Sequence, residues 1–433
     1  MNLSHLHFIF CIVIIVSVII NRCITSSTVP KSSSKSVVII GGGFGGLYTA
    51  LKLNELSKSK GKEICITLVD PKDKFVFLPL LYEFAIENAV IQEVGPSYQN
   101  LLENSNINFV QDTVDNIDTN TNEIRLNSKK SVKFDQAVIA VGVQPRVDVI
   151  KGAKEFSIPF YRIEDAYKLR NLLKYLKSSN QEHIRVVIIG GGYSGVEIAT
   201  NIAEYLGEHR GKITIVHRNE EIMHTSPKFN REIAEKTLNT LKVSLQLNKS
   251  VIEVTKEGVV IQDISADKTD FEQADLVIST FGVQASKFVE DIQGLQKDEN
   301  NRLRTNNYLQ SLDQQNIYAL GDCSCIDNVP VPSTAQVAIQ QADVVANNIL
   351  ADNSNYQSFN FLNLGEMLTL GAKEGAISSL SGLVQVDGHF ASIARRIIYA
   401  ARMPTNTQKI TALIGSSFVM GSKLIQENIL NKK

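Results

Sequence analysis

The strongest constraint on the fold is a glycine-rich turn near the beginning of the chain. Residues 37–40 are all β-branched, and such an apolar run is typical of a buried parallel strand. The glycines that follow fit the spacing G-x-G-x-x-G, and a helical pattern comes next. A second predicted strand, residues 64–69, ends in Asp70. This order of elements indicates a Rossmann-like unit that binds a dinucleotide.

Each glycine of this first fingerprint has its own predicted role. Gly41 permits the tight turn, Gly43 lets the backbone approach a pyrophosphate, and Gly46 lets the helix pack closely on the strand. Asp70 follows Gly46 by 24 residues, so we expect its carboxylate to accept a hydrogen bond from a ribose hydroxyl. The predicted cofactor-binding residues of this site are Gly41, Gly43, Phe44, Gly45, Gly46 and Asp70.

The same pattern occurs again about 150 residues later in the chain. A predicted strand over residues 185–189 leads into a second fingerprint, which consists of Gly190, Gly192 and Gly195. Two fingerprints imply two dinucleotides, and such a pair most simply passes electrons from a nicotinamide to a flavin. We therefore assign FAD to the first site and NADPH or NADH to the second.

The end of the next strand bears on the choice between NADPH and NADH. The strand over residues 212–216 ends in His217 and Arg218 instead of an acid. A carboxylate there would accept a hydrogen bond from a ribose hydroxyl of NADH, whereas an arginine can form an ion pair with the 2′-phosphate of NADPH. The sequence therefore predicts a preference for NADPH, with Arg218 as a cofactor-binding residue.

Both halves of the chain also share a later element, in which an aspartate and an apolar strand are followed by Gly-Val. Gly142 and Gly282 are the glycines of this element, and we predict that both are cofactor-binding residues; the repetition supports an internal duplication. The net charge of −1 argues against a nucleic-acid partner. The five cysteines and seven histidines show no metal-ligand spacing, so no metal is expected.

Several further motifs carry a resemblance to a known family. They are Phe77-x-Pro79-x-Leu81-Tyr82-Glu83, Gly321-Asp322, Ala335-Gln336-x-Ala338, Leu364-Gly365-Glu366-Met367 and Arg402-x-Pro404-Thr405. With the two fingerprints, this order resembles the two-dinucleotide flavoprotein disulfide reductases, and within them the type II NAD(P)H:quinone oxidoreductases. In particular, it resembles the C-type alternative NAD(P)H dehydrogenases of plants and cyanobacteria. The resemblance covers residues 36 to about 425.

The resemblance implies roles for residues outside the fingerprints. Gly321 and Asp322 would lie at the ribityl chain of FAD, and Ala335 would begin a helix beside the flavin ring. The catalytic residues implied are Glu197, near nicotinamide and flavin, and Gln336, where the quinone approaches. The implied reaction transfers a hydride from NAD(P)H to the flavin and then two electrons to a membrane quinone, without proton pumping. A homodimer is also implied.

The cysteines favour a quinone as the acceptor. Disulfide reductases and sulfide:quinone oxidoreductases need a cysteine pair beside the flavin, but residues 66–322 contain no cysteine. Plastoquinone, a phylloquinone precursor and ubiquinone remain open as acceptors. The alternative functions are a reductase of a protein acceptor and a slow redox-sensing flavoprotein.

The expected fold class is α/β, with two Rossmann-like, glutathione-reductase-like domains and a C-terminal membrane-associating segment. The predicted divisions are a targeting segment (1–35), the FAD-binding domain (36–150 and 306–358), the NAD(P)H-binding domain (151–305) and a C-terminal membrane or dimer segment (359–433). An apolar run over residues 8–20 precedes a Ser-rich, acid-poor stretch, which predicts targeting to a plastid membrane. A secretory signal, a membrane anchor and the mitochondrial inner membrane are alternatives. The apolar spacing within residues 390–401 predicts a helix lying at the bilayer surface.

Overall fold

A computed structural model describes residues 34–266, 268–351 and 355–415 of the chain. The predicted targeting segment, apart from its last two residues, and the end of the C-terminal segment lie outside these ranges. In the described part of the chain, no helix has both the length and the apolar character needed to cross a membrane.

Two five-stranded parallel sheets form the two halves of the molecule, as the duplicated fingerprints predict. In both, the strand before the fingerprint occupies the centre, and the strand after the fingerprint helix lies beside it. The first sheet has the spatial order Ile317–Ala319, Gln136–Ile139, Lys35–Ile40, Ile64–Asp70 and Ile107–Gln111. The second has the order Ile158–Pro159, Leu276–Ser279, Ile184–Ile189, Gly211–Val216 and Ser244–Gln246.

The central strands are buried on both faces, which explains their unbroken β-branched sequences. Val37, Val38 and Ile39 are completely buried.

Helices cover the sheets, and helix Ala335–Leu350 packs along helix Phe44–Lys60 on the first sheet. The remaining helices are Leu81–Ala85, Ile91–Val94, Tyr98–Leu102, Ala153–Phe156, Ile163–Ser178, Tyr193–Leu206, Lys228–Thr240, Lys287–Asp291 and Gly388–Ala401. Residues 406–415 are also helical.

The duplication extends to small antiparallel sheets. Each half inserts a three-stranded sheet before the strand that leads to its Gly-Val element. The strands are Val114–Asp118, Glu123–Leu126 and Ser131–Lys133 in the first half, and Lys249–Val254, Gly258–Asp263 and Thr269–Gln273 in the second. The strands Leu303–Thr305 and Ser324–Ile326 form a two-stranded parallel pair near the return to the first sheet.

The C-terminal segment holds a sheet that the sequence analysis did not predict. Its antiparallel strands are Glu366–Thr369, Gly375–Ser379 and Val384–Asp387, and helix Gly388–Ala401 follows directly. We call this helix the C-terminal helix. It packs against strand Gly375–Ser379, while helix Tyr193–Leu206 contacts strand Glu366–Thr369. The segment therefore lies against the helix that carries Glu197.

Candidate functional site

The first fingerprint has the geometry of a dinucleotide turn. Gly41 has φ +98°, and a Cβ there would lie 2.6 Å from the carbonyl oxygen of Ala140. A Cβ on Gly46 would lie 1.7 Å from the carbonyl oxygen of Gly41. In contrast, a Cβ on Gly43 would have no atom of the described residues within 4 Å. The protein itself thus requires glycine at positions 41 and 46, whereas the space beside Gly43 is open.

Two side chains hold the middle of this turn. The Gly42 N–H donates to Asp70 Oδ2 at 2.7 Å, and the Tyr98 hydroxyl donates to the Gly42 carbonyl at 2.8 Å. Asp70 therefore shapes the turn as well as lying at the predicted ribose position. Phe44 packs edge-on against Phe75 and Phe77. Gly45 is a close-packing position, since its Cβ would lie 3.1 Å from Leu320.

The second fingerprint repeats this arrangement. A Cβ on Gly195 would lie 1.8 Å from the carbonyl oxygen of Gly190, whereas one on Gly192 would meet no described atom within 4 Å. The Gly191 N–H donates to His217 Nδ1 at 3.0 Å, and Arg218 is exposed beside it. The two fingerprints therefore share both the close packing and the open glycine.

The two Gly-Val elements meet and join the two halves. Strands Val143–Pro145 and Val283–Ala285 pair antiparallel, and the glycine before each has a positive φ. These values are +63° for Gly142 and +61° for Gly282. The two copies of the duplicated element therefore pair with each other.

The return to the first sheet places Gly321 and Asp322 at the start of a short 3₁₀ turn. Burial raises the pKa of Asp322, and the charge of Arg302 partly offsets this effect. The Gly321 N–H donates to Gln341 Oε1 at 2.7 Å. Gln341 is a buried residue to which the sequence analysis gave no role; it lies on the helix that begins at Ala335.

Gln336, in the first turn of that helix, contacts the C-terminal segment. Its Oε1 accepts from the Leu364 N–H at 2.8 Å, and its Nε2 donates to the Gly365 carbonyl at 3.3 Å. The helix cap is supplied by Thr334, whose hydroxyl accepts from the Val337 N–H. Gln336 therefore links the helix beside the first site to the Leu364-Gly365-Glu366-Met367 motif.

Glu197 is buried where the second fingerprint helix meets the C-terminal sheet. Only 9% of its surface is exposed, and its Oε1 accepts from the Thr369 N–H at 3.0 Å. Burial raises the pKa of Glu197 to about 7, although the Thr369 amide and the charge of Arg395 act in the opposite direction. Such a carboxyl can exchange a proton near neutral pH.

A buried ionic cluster lies beside Glu197. Glu83 contacts both Arg395 and Arg396 of the C-terminal helix, and Arg396 also donates to the Asn88 carbonyl. Glu83 and Arg395 are each 1% exposed. In the sequence, Glu83 stands out only as part of the motif Phe77-x-Pro79-x-Leu81-Tyr82-Glu83. An acid within an apolar stretch could have indicated that Glu83 has a buried partner. The sequence could not show which partner, because the two arginines lie more than 300 residues away.

The residues present fit two dinucleotides. Each fingerprint combines two glycines required by packing with one glycine that faces open space, as the approach of a pyrophosphate requires. The glycines, Asp70 and Asp322 would hold FAD, and the second fingerprint would hold NAD(P)H. Within the described ranges, no three His, Cys, Asp or Glu residues are grouped so that they could hold a metal ion.

Comparisons with known proteins agree with this arrangement. The model of the pyridine nucleotide-disulphide oxidoreductase family matches residues 35–342. The chain is 39% identical to demethylphylloquinone reductase NdbB of Synechocystis, over 87% of this chain and 94% of that protein. It is 33% identical to the alternative NAD(P)H-ubiquinone oxidoreductase C1, chloroplastic/mitochondrial, of Arabidopsis thaliana, over 92% of this chain and 84% of that protein.

The fold is also shared with a solved structure. NDH2 from Plasmodium falciparum, in complex with NADH, superposes with a TM-score of 0.78 at 17% identity. The match covers 89% of this chain and 98% of that one. The long sequence matches, together with the shared fold, establish that the chain belongs to the pyridine nucleotide-disulphide oxidoreductases and, within them, to the type II NAD(P)H:quinone oxidoreductase family.

Proposed function

We propose that the protein is an FAD-dependent, non-proton-pumping NAD(P)H dehydrogenase that reduces a membrane quinone. The observation that carries the proposal is the pair of fingerprints, each with one glycine facing open space. FAD, when bound, accepts a hydride from NAD(P)H and passes two electrons to the quinone. The absence of cysteine from residues 66–322 supports delivery to an acceptor without a thiol relay.

The chain's own residues bind, orient and supply a proton. Gly43 and Gly192 let the backbone approach the two pyrophosphates, and Asp70 and Asp322 accept hydrogen bonds from hydroxyl groups of FAD. Gln336 holds residues 364–365 against the first site. Glu197 gives a proton to a quinone oxygen, a role supported by its burial and by its pKa of about 7.

The proton role of Glu197 predicts a defined pH dependence. Because its raised pKa keeps the carboxyl protonated up to about pH 7, the quinone-reduction rate should fall as pH rises beyond that value. In Glu197→Gln we expect a quinone-reduction rate about 100-fold lower that no longer falls as pH rises. Steady-state rates with a soluble quinone, measured across pH at saturating NADPH, check this. A variant that retains the wild-type profile would remove Glu197 from the mechanism.

We propose a plastid quinone of the phylloquinone-precursor type as the acceptor, with plastoquinone as the next candidate. The cyanobacterial relative named for demethylphylloquinone supports this choice. Turnover with a demethylphylloquinone analogue should exceed turnover with short-chain plastoquinone and ubiquinone analogues. A faster rate with the ubiquinone analogue would instead favour the mitochondrial inner membrane.

We propose NADPH as the preferred donor, with Arg218 pairing with the 2′-phosphate. The exposed position of Arg218 beside the second fingerprint supports this role. Arg218→Glu should lower the ratio of kcat/KM for NADPH to that for NADH by at least about tenfold, because it places a like charge against the phosphate. The matched control is Arg125→Glu, on an exposed position of the first half. A wild-type enzyme with the higher kcat/KM for NADH would contradict the assignment.

We propose that the C-terminal segment contacts the bilayer as a peripheral anchor of a homodimeric enzyme. In the C-terminal helix, Arg395 and Arg396 point inward while Phe390 is 59% exposed. The turn between the last two strands also presents Leu380 and Leu383, the latter 87% exposed. Exposed apolar side chains beside an amphipathic helix are typical of a surface that lies in the membrane interface.

Replacement of both leucines tests this surface. Leu380→Ser with Leu383→Ser should move the protein from the pellet to the supernatant when it is sedimented with lipid vesicles, because the apolar area available to the interface is reduced. Ile264→Ser is a matched control, since Ile264 is 55% exposed on the second half. Equal sedimentation of the double variant and the control would argue against the proposed surface. Light scattering of the purified enzyme tests the homodimer.

A further inference from the structure

The internal duplication allows the two fingerprints to be compared atom by atom. Ile40 pairs with Val69 in the first sheet, and Ile189 pairs with Val216 in the second. Asp70 and His217 therefore follow corresponding strand positions. Each accepts a hydrogen bond from the middle glycine of its fingerprint, from Gly42 in one case and from Gly191 in the other. His217 thus takes the structural place of the ribose-binding acid.

The two acceptors differ in what they leave for a ligand. Asp70 uses Oδ2 for Gly42 and Oδ1 for the Lys72 N–H, but a carboxylate has about four acceptor positions. A neutral imidazole has one acceptor nitrogen, and in His217 the Gly191 N–H occupies it. The other nitrogen, Nε2, therefore carries the proton, is buried, and can act only as a donor. Hence His217 offers no acceptor to a ribose hydroxyl.

The charges that act on the pKa of His217 are positive. Burial lowers the pKa of His217, and the nearby charges of His224 and Arg218 lower it further, although a backbone hydrogen bond with Glu221 acts in the opposite direction. Glu221, an acid of the same loop, forms a salt bridge with Arg231, with 2.7 Å between Oε1 and Nη1. The strand end thus has His217 where a carboxylate would select a free 2′-hydroxyl, and Arg218 adds positive charge suited to a phosphate, while Glu220 is exposed two residues further on.

We infer that His217 is a specificity-determining residue. It accepts a hydrogen bond from the glycine turn, as Asp70 does, but it has no second acceptor for a free 2′-hydroxyl. The ligand class selected is an adenosine nucleotide that carries a 2′-phosphate. The inference rests on the proposed use of NAD(P)H at this site and deepens it. Arg218 attracts the 2′-phosphate of NADPH, whereas His217 forms no hydrogen bond with the 2′-hydroxyl of NADH.

Binding of two nucleotide fragments to the FAD-loaded enzyme tests this role without any redox step. Wild-type protein should bind 2′,5′-ADP at least about tenfold tighter than 5′-AMP by calorimetry. His217→Asp restores a carboxylate at this position and should shift the ratio toward 5′-AMP by at least about tenfold. His217→Ala removes the imidazole, offers no acceptor to a ribose hydroxyl and introduces no charge, so it should retain the wild-type preference.

The outcomes separate this inference from the proposed function. An unchanged ratio in His217→Asp, an equal shift in His217→Ala, or a wild-type preference for 5′-AMP would each overturn the inference. If the ratios shift as expected but neither NADPH nor NADH bleaches the flavin, then the site recognises the 2′-phosphate and the proposed oxidoreductase function fails instead. Circular dichroism of both variants confirms that they are folded before the ratios are compared.

Discussion

Valine in place of Gly43 should give a folded but colourless protein, whereas valine in place of Gly192 should give a yellow protein that NADPH cannot reduce. A Cβ at either position meets no atom of the described residues within 4 Å. Both glycines also have extended backbone angles that valine adopts, with φ −69° at Gly43 and −78° at Gly192. The Cβ therefore fits the protein itself at both positions, and we expect the valine side chain to clash with a bound dinucleotide.

The pair of variants serves as its own control. The same substitution is made at corresponding positions, so a general loss of stability would affect both proteins alike. Flavin content after denaturation and flavin bleaching by NADPH are the two measurements. Stoichiometric FAD in Gly43→Val would show that the first site is assigned wrongly, and normal bleaching in Gly192→Val would do the same for the second.

Removal of Glu83 should be strongly destabilising. Glu83→Ala leaves the guanidinium groups of Arg395 and Arg396 buried without their carboxylate, and breaking such a buried pair costs about 3–5 kcal/mol. Because these arginines belong to the C-terminal helix, we expect that helix to detach from the segment around Glu83. Urea unfolding followed by circular dichroism measures the loss.

Glu232→Ala is the matched control for this variant. Glu232 pairs with Lys228 at 3.5 Å on the surface of a helix, with side chains 58% and 80% exposed. An exposed pair contributes at most about 1 kcal/mol, so the control should remain close to wild type. Equal losses in Glu83→Ala and Glu232→Ala would mean that the buried cluster does not hold the C-terminal helix in place.

The sequence predicts those parts of the fold that depend on local patterns. Glycine spacing and β-branched runs are sufficient for both fingerprints, because a Rossmann turn demands specific residues over a short stretch. The helix at 335–350 and the strands next to the fingerprints occur where periodicity predicts them. The pairing of the two Gly-Val elements with each other could not be predicted, since similarity of two segments does not reveal whether they touch.

Features that depend on distant partners required the structure. Glu83 and Arg395 are separated by 312 positions, and no local pattern links them. The sequence shows His217 at the end of a strand, but only the hydrogen bond from Gly191 shows that its acceptor nitrogen is occupied. The short strands of the C-terminal sheet were missed because residues 366–387 are rich in small and polar residues, which give a weak alternation signal.

Anaerobic titration of the purified, FAD-loaded protein tests the central claim most directly. NADPH should bleach the yellow colour, and subsequent addition of a soluble quinone should restore it in stoichiometric amount, with no protein acceptor present. Failure of NADPH and NADH to bleach the flavin would contradict the assignment of the second site. Recovery of the colour with a ferredoxin-like protein but not with any quinone would contradict the proposed acceptor.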